Sequence, residues 1–229
     1  MYRTSVKVVT RNDHAVVERI GEYSSAVIDG DKARVAGSEI DVRANLATWC
    51  RAYATIDPIR RVTRRSIQVF GADGTAIRKI HEASGTRVAA FAAPVTARAA
   101  TNQAAGERVA PAAAPAEQRA TAHVIPSTAF CAALEWATER RAHIHLGVAS
   151  AGAEQVHHGA IKRIEPYGPW FNVMDAHLSL HVLEGNIHAV GLVTRDHSEC
   201  VVARDARSRT IAWVSSAEFG WATLLRTFA

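Results

Sequence analysis

Ser66-Ile67-Gln68-Val69-Phe70-Gly71-Ala72-Asp73-Gly74-Thr75-Ala76-Ile77-Arg78-Lys79-Ile80 reads as a β-hairpin, two β-favouring runs flanking a Gly/Asp-rich turn. The same order returns in Val201-Val202-Ala203, a turn, and Ile211-Ala212, about 134 residues further on. A second pair repeats the lesson. Ile40-Asp41-Val42 lies in the cleanly alternating Glu39-Ile40-Asp41-Val42-Arg43, and its counterpart Leu178-Ser179-Leu180 follows 138 residues later. A duplicated antiparallel β unit accounts for both pairs.

Outward from these anchors, the first unit reads as β throughout. Val6-Lys7-Val8-Val9 and His14-Ala15-Val16-Val17-Glu18-Arg19-Ile20 are strands separated by the turn signal Asn12-Asp13, and residues 49–56 continue the meander. The second unit opens with a helix over residues 127–141. Phe130, Ala133, Leu134 and Ala137 take the spacing of an amphipathic face, and Ser127 after Pro126 supplies the cap. Strands follow over residues 144–148, 155–158, 178–182, 188–193, 199–203 and 210–214. Between the units, residues 96–122 are rich in Ala, Pro, Thr, Gln and Glu, and Pro111 and Pro115 interrupt any helix there. The expected architecture is α+β: two repeated, mainly antiparallel β-sheet units with few helices. Their boundaries are 1–95 for the first unit, 96–122 for the linker and 123–229 for the helix-plus-β unit.

Composition narrows the partners. The chain has 229 residues, 48% of them hydrophobic, enough for one large domain or two small ones. No run approaches the roughly 20 apolar residues of a membrane span, and the N-terminus lacks the apolar core of a secretory signal. Three widely separated cysteines, Cys50, Cys131 and Cys200, suit a reducing compartment, so the cytoplasm is expected. The formal charge is +5, with Arg60, Arg61, Arg64 and Arg65 in one cluster. That cluster has no interleaved aromatics and no helix-turn-helix beside it, so nucleic acid is not the expected partner. Nucleotide-binding glycine loops and nucleophile elbows are absent, and nothing in the sequence forces an enzyme.

Eleven histidines offer ligand candidates. On strands, His143 and His145 share a face while His157 and His158 point to opposite ones, so a sheet or core role is the default for each.

Three strings add a resemblance. Val8-Val9-Thr10-Arg11-Asn12-Asp13-His14-Ala15-Val16 with Gly21-Glu22-Tyr23, then Gln155-Val156-His157-His158-Gly159, and above all Gly168-Pro169-Trp170-Phe171-Asn172-Val173-Met174-Asp175 resemble the haemin-utilisation proteins of the HemS/ChuS type. The likeness covers nearly all of the chain outside the linker and the extreme C-terminus. It implies a duplicated β fold that binds haem after uptake, carries it within the cell and in several members degrades it. Arg11 takes the place of an arginine on the distal side of the haem, where a guanidinium polarises what the iron holds or bonds a propionate. Arg195 is the match for a basic residue near the propionates.

Three departures accompany the likeness. The helical sequence before the Thr-Arg-Asn block is absent, and a homodimer burying the sheet surface so left is a further expectation. The Ala/Pro linker stands where the family keeps its proximal histidine; His123 at its end is then the candidate metal ligand. The family's Gln, Tyr and Arg on the last strand are Trp213, Ser215 and Glu218. These changes make a carrier the expected function ahead of a degrading oxygenase. The alternative is a diverged fold that no longer binds haem and serves as a non-catalytic binding or scaffold protein.

Overall fold

A computed structural model describes residues 5–59, 62–83, 88–101, 125–195 and 197–225, without the side chains of residues 59, 62, 88, 90, 91 and 94. The first half folds as β1 (Ser5–Arg11), β2 (Ala15–Glu22), β3 (Ser25–Asp29), β4 (Lys32–Ala36), β5 (Asp41–Asn45), β6 (Arg51–Ile59), β7 (Val62–Phe70), β8 (Ala76–Glu82) and helix α1 (Val88–Arg98). The second half follows with α2 (Ala129–Arg140), β9 (Ile144–Ala149), β10 (Ala153–Gly159), β11 (Trp170–Met174), β12 (Leu178–Leu183), β13 (Ala189–Arg195), β14 (Ser198–Arg204), β15 (Thr210–Ser215) and α3 (Trp221–Leu225).

Both sheets draw on both halves. One has seven strands in the order β11-β12-β2-β1-β8-β7-β6; the other has eight, β13-β14-β15-β9-β10-β5-β4-β3. Each repeat thus donates a meander to the other: β5 pairs with β10, and β12 pairs with β2, antiparallel in both cases. The antiparallel sheets and sparse helices match the expected fold class.

The repeat extends into detail. The 3₁₀ turns Leu46–Thr48 and Glu184–Asn186 lie 138 residues apart. So do Gly30 and Gly168, with φ of +54° and +57°, the left-handed conformation glycine adopts without strain. Residues 163–167 hydrogen-bond β11 as β3 does β4, through Glu165 N–H to Asn172 O at 2.9 Å and Tyr167 N–H to Trp170 O at 2.9 Å.

Burial alternates along β1 and β2, so Val6, Val8, Ala15 and Val17 face inward against the other sheet. The larger core joins Phe130, Leu134 and Ala137 of α2 to Ile144, Leu146, Leu180, Val214 and Trp221. A smaller core joins Val6, Val8, Ile40, Val42, Val69 and Ile77. Asn12 ties the sheets together: Nδ2 donates to Ala149 O at 3.0 Å and Ile211 O at 2.8 Å, while Oδ1 accepts from His14 and Ala15.

Several local expectations are corrected. The α2 cap position is Thr128, not Ser127, and no side chain caps it. Helix α1 occupies part of a stretch read as β and linker. Strands β3 and β4 form where no strand was expected, and Trp170–Met174, outside the expected strands, is β11. Among the described residues no helix is long and apolar enough to cross a membrane.

Candidate functional site

Register decides what the eight-stranded sheet shows to the outside. Val42 and Ala44 point into the smaller core, so Asp41, Arg43 and Asn45 point outward. Pairing places Arg34 opposite Arg43, and Glu154 on the other side of Arg43. On that outward face, beside the β9–β10 turn, a recess of about 510 Å³ opens. Its size is that of a small-molecule pocket. Ala149, Ala151 and Gly152 keep its floor low, Val27 adds an apolar wall, and Lys32, Arg34 and Arg43 surround it.

Two arginines directly opposite one another cost stability, which acids on the same face offset. Arg34 donates to both oxygens of Asp41, at 3.2 and 3.1 Å. Asp41 is held down to about 2, chiefly by its hydrogen bond with His158 and then by Arg34, against the opposing effect of burial. Glu154, the recess carboxylate nearest Arg43 in register, has donors from other strands as well. It accepts from Arg195 Nη2 at 3.0 Å and from Trp213 Nε1 at 2.7 Å. Three cations, Lys32, Arg34 and Arg43, and two carboxylates, Asp29 and Glu154, thus line the recess.

Further along the same face Trp213 lies over Gly147, where a Cβ would meet indole atoms at 2.2 Å. Arg195 stacks on Trp213 with its guanidinium carbon 4.7 Å from the ring centre. Val156, Cys200 and Val202 complete this patch. To reach Glu154, Arg195 crosses from β13 to β10, four positions over in the strand order, so the sheet curls strongly. His145 and His158 are cross-strand partners here with ring centres 4.6 Å apart, and His143 lies 6.0 Å from His145. Burial, then the neighbouring imidazoles and Arg43, push the His145 pKa down. His157 faces inward and is buried, opposite to His158 as the strand period requires.

The three expected site residues part company. Arg11 ends β1, exposed, on the outward face of the seven-stranded sheet, and does not line the recess. Its neighbours do structural work: Thr10 Oγ1 donates to Gln155 Oε1 at 3.0 Å, and Asn12 is the clasp described above. Arg195 reaches the recess rim through Glu154. His123 lies outside the described residues, as do Arg60 and Arg61. Sequence reading passed over Lys32, Arg34 and Arg43. Their alternation on two short strands was the available signal, but it means little until β4 and β5 are known to be neighbours. None of the three cysteines is in a disulfide, and Cys50 is exposed while the others are buried. Among the described residues no three His, Cys, Asp or Glu side chains are grouped to hold a bare metal ion.

These features define a class: a duplicated, strand-exchanged two-sheet protein with a cation-lined recess on one outer face. The profile of the haemin-degrading HemS.ChuX domain matches residues 2–97 and 107–212, and the chain belongs to that family. The hemin transport proteins HmuS of Yersinia pestis and HemS of Yersinia enterocolitica are each 32% identical over 82 residues, 35% of this chain and 24% of theirs. The matched segment thus spans about a quarter of those relatives' length. Two solved structures share the fold. PhuS of Pseudomonas aeruginosa, a heme-binding protein, superposes with a TM-score of 0.88 at 23% identity, covering 99% of this chain and 82% of that one. ChuS of Escherichia coli, a heme degrading enzyme, gives 0.86 at 19% identity, with 99% and 81% covered.

Proposed function

We propose that this chain binds haem on the outward face of its eight-stranded sheet and carries it within the cell for utilisation. The observation that bears the reading is the recess with its opposed Arg34 and Arg43 and adjacent Lys32, an arrangement suited to a ligand's carboxylates. The residues present fit the group. Lys32, Arg34 and Arg43 would take the two propionates beside Asp29 and Glu154, Val27 and the alanines would give apolar contact, and imidazoles stand on the same face. In such a complex the guanidiniums orient the propionates, and the apolar lining excludes water from the ring. Haem itself supplies an iron that takes one or two axial donors. Membership of a haemin-degrading family and the fold shared with a heme-binding protein support the same ligand. Free cysteines support a cytoplasmic setting.

One observation favours the second reading, a scaffold that has lost haem: Trp213 and Arg195 cover the middle of this face. A haemin titration separates the two. Under the haem reading the Soret band shifts and saturates, and Arg43→Glu weakens binding at least about tenfold, ~1.4 kcal/mol. Non-saturating absorbance in the unaltered chain gives the scaffold reading. A biliverdin-like product formed with ascorbate would turn the carrier into a degrader. Sizing by light scattering with and without haemin tests the proposed homodimer.

A further inference from the structure

The recess supplies cations but no iron ligand from its own lining. The nearest candidate on the same face is His158. Its side chain is 42% exposed, and Nε2 lies 3.0 Å from Oδ2 of Asp41, a carboxylate only 7% exposed. A carboxylate can only accept, so Nε2 carries the hydrogen, and in the neutral ring Nδ1 holds the lone pair. Proteins commonly orient metal-binding imidazoles in this way, with a carboxylate raising the basicity of the donor nitrogen.

Arg34 already gives a donor to each Asp41 oxygen, and His158 adds a third. The imidazole is an addition to a satisfied ion pair. The same Arg34 lines the recess, so one carboxylate links the recess cation to the imidazole. Along β10, His158 stands four residues from Glu154 on the recess rim, about 13 Å at strand spacing. His145 packs edge-on against it and shields one side of the ring. A bare ion would need three or more protein donors, and no such group exists among the described residues. A porphyrin brings four nitrogens of its own and asks for one more.

We propose that His158, positioned by Asp41, is the axial imidazole donor to the iron of a porphyrin whose carboxylates are taken by the recess cations. The proposal rests on the haem reading above and assigns a ligand to that same site. It locates the iron ligand on a sheet strand of the second repeat.

The test is absorption and resonance Raman spectroscopy of the full chain loaded with haemin. The unaltered chain is expected to show an iron–imidazole signature. His158→Leu removes it and weakens haemin at least about tenfold. His158→Gly regains the signature with added imidazole, a rescue that a purely structural histidine would not give. Asp41→Asn keeps the ligand but changes the iron–nitrogen stretch. An unchanged spectrum in His158→Leu overturns the proposal, and if Arg43→Glu still weakens binding in that background the recess keeps haem as its ligand. Failure of the unaltered chain to bind haemin saturably overturns both.

Discussion

The two sheets are built on one plan and show opposite surfaces. Where the eight-stranded sheet has Arg43 beside Arg34, the seven-stranded sheet has His181 beside Asn172, at 138 residues' remove in both cases. Where the first has Ala149 at the end of β9, the second has Arg11 at the end of β1. His181 Nδ1 and Asn172 Oδ1 close a 2.7 Å hydrogen bond, and Asn172 Nδ2 donates to Glu165 O at 3.0 Å, so that surface is internally satisfied. The other sets three cations and two carboxylates around a hollow. Backbone duplication carries the shape of the sheets, and a few outward side chains decide which sheet has a site. Fold and function are specified separately here.

The largest test of this contrast moves the decisive residue across. Ala149→Arg places on the recess floor what Arg11 places on the other sheet. Haemin affinity should fall at least about a hundredfold, ~2.8 kcal/mol, with far-UV circular dichroism unchanged. Arg11→Ala should change it less than about twofold. If the first substitution is harmless to binding, or the second is the damaging one, the site belongs on the seven-stranded sheet.

A second contrast lies in the two equivalent turns. Asn12 and Ser150 occupy matching places, and each accepts from two backbone N–H groups of its own turn. Only Asn12 also donates to two backbone carbonyls of the opposite sheet. Asn12→Ala should therefore cost about 2 kcal/mol and Ser150→Ala about 1 kcal/mol or less, read as urea midpoints. Equal costs would mean that the clasp between sheets contributes nothing beyond its turn.

Much of the architecture was legible before any coordinates. Alternation exposed the strands around Val8, Val42 and Val69, the Gly71–Gly74 string marked a hairpin, and the spacing of Phe130, Leu134 and Ala137 marked α2. Strands β3 and β4 escaped because Ser25–Asp29 and Lys32–Ala36 form an almost wholly solvent-facing ribbon with no buried face to set a period. The strand exchange is a tertiary choice between equally patterned partners, and local sequence does not report it. The site was harder still. Arg43 and Arg34 gain meaning only as neighbours across β4 and β5, and Glu154 joins them only through the pairing of β10 with β5, with Arg195 arriving from four strands away. The resemblance led to the family, while the recess had to be found from register.

The smallest expected effect concerns the inner faces. Arg19 and His157 are repeat equivalents, both buried, and each solves its burial differently. Arg19 keeps a charge-bearing group by donating from Nε to Glu39 O at 2.6 Å. His157 is pushed down to about 3, first by burial and then by the nearby Arg19, so it stays neutral at neutral pH. Its folded value lies below the unfolded one near 6.5, so the unfolded chain takes up the proton first as pH falls. The stability associated with the neutral ring is fully present above about 6.5 and is lost progressively down toward the folded value. Between pH 6.5 and 5.5 this amounts to about 1 kcal/mol, since one proton per molecule corresponds to ~1.4 kcal/mol per pH unit once fully engaged. Urea unfolding across that interval should show His157→Phe losing about 1 kcal/mol less than the unaltered chain, whatever the substitution does to stability at pH 7. His81, held down to about 4, leaves a residual slope in both. Matching slopes would show that His157 is protonated in the folded chain as readily as in the unfolded one. The second repeat would then carry a buried cation where the first carries Arg19, and the two inner faces would be alike in charge.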